Sequence, residues 1–283
     1  MSQNILTTLA SEIAQGRRIP YLGPELVGLQ PGGAVVPDST PSLAKALSAK
    51  LAVPGRLRGN VWSSAQYIET NRHRQTLDKA LQAIFAPVLE PLPLHRKLAA
   101  IDALPLIVDA WYDGALFAAM AEREGRGMVQ GVTKADQVHD VWNRWYRMDG
   151  QETDAEEGAG WTQLLYKPHG SVVPKLNLLI SDADYVQVLA EIDIQTPIPA
   201  EVQKRRTGRP FLFLGCRFHD QIERNFARQI IKRSAEGHVA VIAGELTRNE
   251  ARFLDEQGVS RLDMPLAEAV DTLDLALSKL KLG

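Results

Sequence analysis

Short apolar segments alternate with longer segments of helical periodicity along this chain, and the alternation restricts the fold more than any other feature. The clearest apolar run is PFLFLG at residues 210–215, with charged residues before and after it. Apolar runs of four to eight residues bounded by turn residues are typical of buried strands. Strands that alternate with helices predict a parallel sheet, because each crossover lays a helix on one face. We therefore expect a doubly wound, Rossmann-like α/β fold with six or seven parallel strands and helices on both faces.

The same patterns place the other elements along the chain. Further strands are predicted near residue 20 and at residues 104–108, 164–167, 177–180, 238–243 and 259–262. Apolar residues at helical spacing predict helices at residues 3–15, 41–51, 95–104, 221–234, 248–257 and 265–282, and two helices between residues 61 and 89. Ser181, Asp220 and Thr247 each precede a predicted helix and suit its N-cap position.

The length of 283 residues allows a core domain with a helical insertion. We assign residues 1–51, 104–117 and 161–283 to the core. Residues 52–103 and 118–160 form a predicted helical insertion subdomain. Because the insertion lies between the segments that line the predicted crevice, we expect it to cover that crevice.

Composition excludes several classes of protein. A net charge of −2 gives no general signal for nucleic acid or an anionic membrane. The first 18 residues carry no long apolar core, so we expect a cytoplasmic protein without a membrane anchor. Cys216 is the single cysteine, which excludes an intramolecular disulfide and a thiolate zinc site from this chain alone. We expect no metal.

The most informative short motif is KPHGS at residues 167–171, at the end of an apolar run. It places His169 at the carboxyl end of a predicted strand, where open α/β sheets bind their ligands. Unperturbed imidazole titrates near neutral pH, as a general base should, and Gly170 permits a sharp turn. The alternative interpretation is a hydrogen-bonded structural histidine in a loop.

Two other strand ends point to the same edge of the sheet. The segment around Gly23 runs from apolar residues into glycine and proline, a transition that can bring backbone N–H groups near phosphates. Its spacing does not match the three-glycine dinucleotide motif, so an ordinary turn is the alternative. The strand at 104–108 ends in polar and aromatic residues and should face the same crevice as His169.

In their order these segments resemble the sirtuin-like superfamily, in particular its prokaryotic branch without a zinc ribbon. LGPE at residues 22–25 is similar to the family's Gly-Ala-Gly nucleotide loop, and DAWYD at 109–113 is partly similar to its Thr-Asn-Tyr-Asp segment. KPHGS matches Lys-x-His-Gly-Ser. SDADY at 181–185 resembles Thr-x-x-Asp-Tyr, and GCRFHD at 215–220 resembles Gly-x-Ser-x-x-Asp.

The resemblance implies binding of NAD and cleavage of its nicotinamide–ribose bond, by hydrolysis or ADP-ribosyl transfer rather than by protein deacylation. His169 would be the general base, and Asp113 would orient a ribose or the histidine. The cofactor-binding residues would be Gly23, Pro24, Glu25, Leu26, Trp111, Tyr112, Gly215, Cys216, Arg217 and Gly244. Other members suggest a homo-oligomer or a separate sensor protein as partner.

Three residues depart from the family pattern. Glu25 replaces a glycine and would bring a negative charge near a pyrophosphate. Trp111 replaces the asparagine that positions ribose and water, and an indole donates one N–H and accepts nothing. Cys216 replaces a serine or threonine. These departures keep open an alternative function: a catalytically degenerate nucleotide-binding or scaffold protein that acts through a partner or self-assembly.

Overall fold

A computed structural model describes residues 2–133, 141–191 and 198–280. Its strands are β1 Ile19–Leu22, β2 Leu106–Asp109, β3 Arg126–Gly131, β4 Asn143–Arg147, β5 Glu152–Thr153, β6 Gln163–Lys167, β7 Gly170–Ser171, β8 Asn177–Leu178, β9 Phe211–Leu214, β10 His238–Val241 and β11 Val259–Leu262. Its α-helices are α1 Ser2–Ala14, α2 Thr40–Lys50, α3 Val61–Arg72, α4 Arg74–Ile84, α5 Pro93–Ala99, α6 Ala115–Ala121, α7 Ala155–Ala159, α8 Asp182–Glu191, α9 Ala200–Arg206, α10 Gln221–Ile231, α11 Arg248–Glu256 and α12 Leu266–Ser278. Pro24–Leu29 and Gly55–Leu57 are 3-10 helices.

The predicted parallel sheet is confirmed. Within the described residues the main sheet has the strand order β11-β10-β9-β1-β2-β6-β3-β4-β5. The strands from β11 to β3 in that order pair in parallel, and β4 and β5 join one side as antiparallel strands. The parallel part therefore has seven strands, and its carboxyl ends meet at one edge.

Side chains of alternate strand residues enter different cores, as both faces of a buried sheet require. In β9, Leu212 and Leu214 belong to the core beneath α1, α5, α6 and α12. Phe211 and Phe213 belong to the opposite core, beneath α9, α10 and α11. Helices therefore cover both faces, as a doubly wound fold requires.

A third core lies under α2, α3 and α4. It includes Leu43, Leu47 and Ile68 of these helices and also Trp111, Tyr112 and Tyr185. Residues 61–84 thus form the two predicted helices, with the break at His73, whose φ is +66°. The first part of the predicted insertion is helical, and it packs against residues that follow β2.

The second part of the predicted insertion differs from the prediction. Residues 126–131 and 143–147 are strands of the main sheet, and β3 pairs with β6 from Arg126 to Gln130. The acidic segment at residues 149–160 contains β5 and the short helix α7. The predicted strand at 177–180 contributes only β8, which pairs with β7 outside the main sheet. The seventh parallel strand is therefore β3.

Across the described residues, each helix is too short or too polar to cross a membrane.

Candidate functional site

The loops after β1 and β9 touch each other through two glycines. A Cβ atom on Gly23 would lie 2.3 Å from the carbonyl oxygen of Gly215 and 2.5 Å from the sulfur of Cys216. Gly215 has a φ of +69°, a left-handed conformation that favours glycine. Both glycines are therefore required by the close approach of the two loops.

The close contact between the two loops also occupies the backbone N–H groups that we expected to hold phosphates. The N–H of Gly23 donates to Leu214 O over 2.8 Å, and the N–H of Glu25 donates to Gly215 O over 3.1 Å. The N–H of Leu26 lies 3.4 Å from Gly23 O, and Pro24 has no N–H. In this conformation the loop does not present the free donors expected from the sequence, because they bind the neighbouring strand end and the turn itself.

The carboxyl ends of β2 and β6 are joined by a buried ion pair. The ammonium of Lys167 lies 2.7 Å from a carboxylate oxygen of Asp109 and also donates to the carbonyl of Asp113 over 2.8 Å. Burial raises the pKa of Asp109 to about 6, against the lowering effect of Lys167. The pair fixes the loop that carries Trp111 and Tyr112 relative to His169.

Trp111 is buried and held on several sides. Its backbone N–H donates to Asp109 over 3.1 Å, and its indole N–H donates to Pro37 O over 2.8 Å. Its ring packs against Tyr112 and against Phe85, with ring centroids 5.0 and 6.2 Å apart. The indole therefore occupies the position where the resemblance expects an asparagine, and its single donor is used.

His169 is buried, and its Nδ1 lies 2.9 Å from the hydroxyl of Tyr185. The ring of Phe226 packs beside it at 4.4 Å between centroids. Burial, with a smaller contribution from the Lys167 charge, lowers the pKa of His169 to about 3. The expectation that His169 titrates near neutral pH is corrected: the ring is neutral at pH 7, and desolvation makes it a weak base.

His169 lines a small cavity of about 30 Å³, which we call the inner cavity. Its walls come from the ends of four strands and from α2, α3 and α10: Tyr21, Pro24, Thr40, Trp62, Ala110, Trp111, Tyr112, His169, Cys216, Arg217, Phe218 and Glu223. A water molecule needs about 10–15 Å³ of such cavity volume, so the inner cavity has room for about two water molecules and not for a nicotinamide ring.

A larger cavity of about 340 Å³, the outer cavity, shares Pro24, Thr40, Arg217 and Glu223 with the inner one. Glu25, Asp220 and His219 also line it. Arg217 is bound by both carboxylate oxygens of the buried Glu250, at 2.8 and 3.0 Å. Ligand pockets span roughly 300–1,000 Å³, so the outer cavity lies at the small end of that range.

Several predicted site residues meet at these cavities, and others do not. Pro24, Trp111, Tyr112, His169, Cys216 and Arg217 line the inner cavity, and Glu25 lines the outer one. Asp113 instead accepts a hydrogen bond from the N–H of Ala115 at the start of α6, and the hydrogen-bond partner of the His169 ring is the Tyr185 hydroxyl. Gly244 follows β10, and its N–H donates to Asp263. Leu26 packs into the core beneath α1 and α12.

Cys216 is a poor substitute for a hydroxyl group. Its sulfur lies 3.6 Å from Leu214 O and 3.9 Å from Tyr21 O. Burial raises the pKa of the thiol, so Cys216 stays protonated and makes only weak hydrogen bonds here.

Two residues of the site were missed by the sequence analysis. Glu223 on α10 lines both cavities, and burial raises its pKa to about 8, helped by the charge of Asp220. Burial also raises the pKa of Glu25. Tyr185 on α8 was read only as part of a helix start. Glu223 lies three residues after the N-cap residue Asp220, a spacing typical of a capping pair, so its sequence position carries no sign of a cavity.

The family model described as SIR2-like domain matches residues 105–262, which is more than half of the chain. No curated protein matches this chain. A solved structure described as "Structural Basis for the Mechanism and Regulation of Sir2 Enzymes" is 12% identical, covers 98% of both chains and has a TM-score of 0.48. The range that the family model matches contains β2, β6, β9 and the residues that line the inner cavity from Ala110 to Glu223. The chain belongs to the family of SIR2-like domain proteins.

Proposed function

We propose that this chain binds NAD or an ADP-ribose-like nucleotide at the carboxyl edge of its sheet, and that Trp111 gates cleavage of the nicotinamide–ribose bond there. One observation carries the proposal. Pro24, Trp111, His169 and Arg217, which follow four different strands, line one cavity. A crevice outside the carboxyl ends of parallel strands is where open α/β sheets bind nucleotides.

The outer cavity is the proposed entrance for the nucleotide. Arg217 lines both cavities, and its charge interacts with that of the half-buried Glu25, which lines the outer one. A pyrophosphate at this place is attracted by the charge of Arg217 and repelled by the charge of Glu25, so Glu25 weakens binding. We therefore expect weak affinity for NAD, and the affinity should depend on the state of this carboxyl group.

The inner cavity is the proposed place of cleavage. His169 is neutral there, and its weak basicity suits the acceptance of a hydrogen bond from a ribose hydroxyl or a water more than full proton removal. A nicotinamide ring enters only if the Trp111 side chain leaves its contacts with Pro37 and Phe85, because about 30 Å³ holds no ring. Trp111 is thus the gate.

The experiment is calorimetric titration of NAD and ADP-ribose into the wild-type protein and Glu25→Gln. Both ligands should bind, and Glu25→Gln should bind them about 3- to 10-fold more tightly, because a charge facing the phosphates is removed. Glu236→Gln is the matched control: Glu236 is exposed and precedes β10 at the opposite edge of the sheet. No heat from either ligand at millimolar concentration, in the wild type and in Glu25→Gln, would reject the proposal.

A second candidate function is favoured by the loop after β1. Its N–H groups at Gly23 and Glu25 already bind Leu214 and Gly215, and the cavity at His169 is small. A protein with these features is suited to hold a nucleotide, or to act as a scaffold through a partner or self-assembly, without cleaving the nucleotide. Binding of ADP-ribose together with an absence of nicotinamide release in every Trp111 variant would favour this candidate.

A further inference from the structure

The side chain of His169 belongs to a short chain of hydrogen bonds that ends at one backbone carbonyl. Nδ1 of His169 lies 2.9 Å from the Tyr185 hydroxyl, and that hydroxyl lies 2.8 Å from Leu179 O. The hydroxyl of Tyr112 also lies 2.8 Å from Leu179 O. These groups lie in the buried region behind the inner cavity, so each polar atom needs a partner inside the protein.

The positions of the protons follow from counting them. These three contacts need three protons, and Leu179 O can only accept. The hydroxyls of Tyr112 and Tyr185 also interact with each other, so that contact competes for the same two phenol protons and supplies no further one. Tyr112 and Tyr185 each supply one proton, and both point at Leu179 O, which has two lone pairs. The contact between Tyr185 and His169 then needs its proton from the ring. If the ring carried its proton on Nε2, only two protons would be left for the three contacts. One contact would then bring two acceptor atoms together, either two oxygens or an oxygen and a nitrogen, with no proton between them.

We propose that Tyr185 is a positioning residue that holds His169 in the Nδ1–H tautomer, so that Nε2 presents a lone pair to the inner cavity. Free histidine side chains prefer the other tautomer, so the protein must select this one. This role of Tyr185 rests on the proposed function, because it decides which ligand group can contact Nε2. That group must donate a hydrogen bond, as a hydroxyl or a water does.

Tyr185 is itself held firmly, as a positioning residue must be. It follows Ser181 and Asp184 in the first turn of α8, where Asp184 accepts hydrogen bonds from the N–H groups of Ile180 and Ser181. Asp184 also binds Arg74 of α4 over 2.9 Å. The ring of Tyr185 packs edge-on against Trp62 at 4.9 Å between centroids. The hydroxyl therefore has one position relative to His169.

The test is the ¹⁵N spectrum of the histidine rings, read through their two-bond ¹H–¹⁵N correlations, which separate the two neutral tautomers. The chain has six histidines, and the signals lost in His169→Gln assign the ring of interest. At pH 7 the wild type should show His169 as a neutral Nδ1–H ring. In Tyr185→Phe the same ring should shift substantially to Nε2–H, because Nδ1 loses its acceptor.

Tyr112→Phe is the matched control, since it removes a hydroxyl bound to the same carbonyl but leaves the contact between Tyr185 and His169. It should keep the Nδ1–H ring. An Nε2–H ring in the wild type, or an unchanged Nδ1–H ring in Tyr185→Phe, would overturn the proposal. If Tyr185→Phe does not fold, the tautomer of His169 in the wild type still decides whether the proposal holds. The spectrum needs no nucleotide, so a failure of NAD binding is distinguishable from a failure of this inference.

Discussion

Glu223 shows how a single carboxyl group can make the stability of the protein depend on pH. It lies in the first turn of α10 and lines both cavities. Its pKa is raised from 4.5 to about 8 by burial first and then by Asp220, with smaller contributions from Glu25 and Glu250. The folded protein therefore holds a proton on Glu223 at neutral pH, where the unfolded chain has released it.

The sign of the effect follows from linkage. Between about pH 4.5 and pH 8 the folded state binds more protons at Glu223 than the unfolded state, so the free energy of unfolding falls as pH rises. Glu223→Gln should remove this dependence. We expect little difference at pH 5, and a variant more stable by about 1–2 kcal/mol at pH 9, because a partly exposed carboxyl group delivers only a fraction of the full shift.

Urea unfolding of the wild type, Glu223→Gln and Glu236→Gln at pH 5 and pH 9 checks this prediction. Glu236→Gln should be neutral at both pH values, because its side chain is exposed. A Glu223→Gln variant that is equally stable relative to the wild type at both pH values would show that the Glu223 carboxyl titrates normally.

At the scale of elements, the pair of Lys167 and Asp109 joins two strands at the edge that carries the site. Lys167 is 1% exposed and Asp109 8% exposed at the side chain, so neither charge has water as a partner. Removing one partner of a buried pair leaves an uncompensated charge and costs about 3–5 kcal/mol. Lys167→Met should therefore destabilise the protein by up to that amount at pH 8, where Asp109 of the wild type is ionised.

The double variant Lys167→Met/Asp109→Asn supplies the comparison. It should be more stable than Lys167→Met alone, because no charge remains buried. The pKa of Asp109 is already raised to about 6, and loss of Lys167 should raise it further. The free energy of unfolding of Lys167→Met should then fall more steeply between pH 5 and pH 8 than that of the wild type. Equal losses in the single and double variants would show that the two strands are not coupled through this pair.

Most of the strands that the sequence predicted have continuous apolar runs, such as β9, and the missed ones lack such runs. β3 has the sequence RGMVQG, with two glycines and two polar residues. Each glycine serves packing: a Cβ on Gly127 would lie 2.0 Å from the ring of Trp161, and a Cβ on Gly131 would lie 2.5 Å from Pro168 O. Tertiary contacts therefore determine that residues 126–131 form a strand, and local β-propensity does not reveal those contacts.

The same distinction applies to the candidate site. Residues directly after apolar strands, such as Trp111, His169 and Arg217, could be placed at one edge because parallel strands end together. Glu223 and Tyr185 lie on helices, and only the packing of α8 and α10 brings them to His169 or its cavity. Asp113 stands two residues after Trp111, yet its carboxylate turns to the N–H of Ala115.

At the scale of the whole molecule, the helices α2, α3 and α4 cover the carboxyl edge of the sheet and hold the proposed gate. Pro37, just before α2, accepts the hydrogen bond of the Trp111 indole, and Phe85, just after α4, packs on its ring. Trp62 of α3 lines the inner cavity. A displacement of these helices would therefore release Trp111 from its contacts with Pro37 and Phe85.

The most direct test of this account is nicotinamide release from NAD by the wild type, Trp111→Asn, Trp111→Phe and Trp111→Asn/His169→Ala, after circular dichroism has shown that each is folded. Trp111→Asn should release nicotinamide, whereas the wild type and Trp111→Phe, which keep an aromatic ring in the inner cavity, should release little. Loss of His169 should lower the release by about 5- to 10-fold, because one hydrogen bond accepted by Nε2, worth about 1 kcal/mol, is lost. Release by the wild type as fast as by Trp111→Asn, or no release by a folded Trp111→Asn that binds ADP-ribose, would contradict the gated cleavage proposed here.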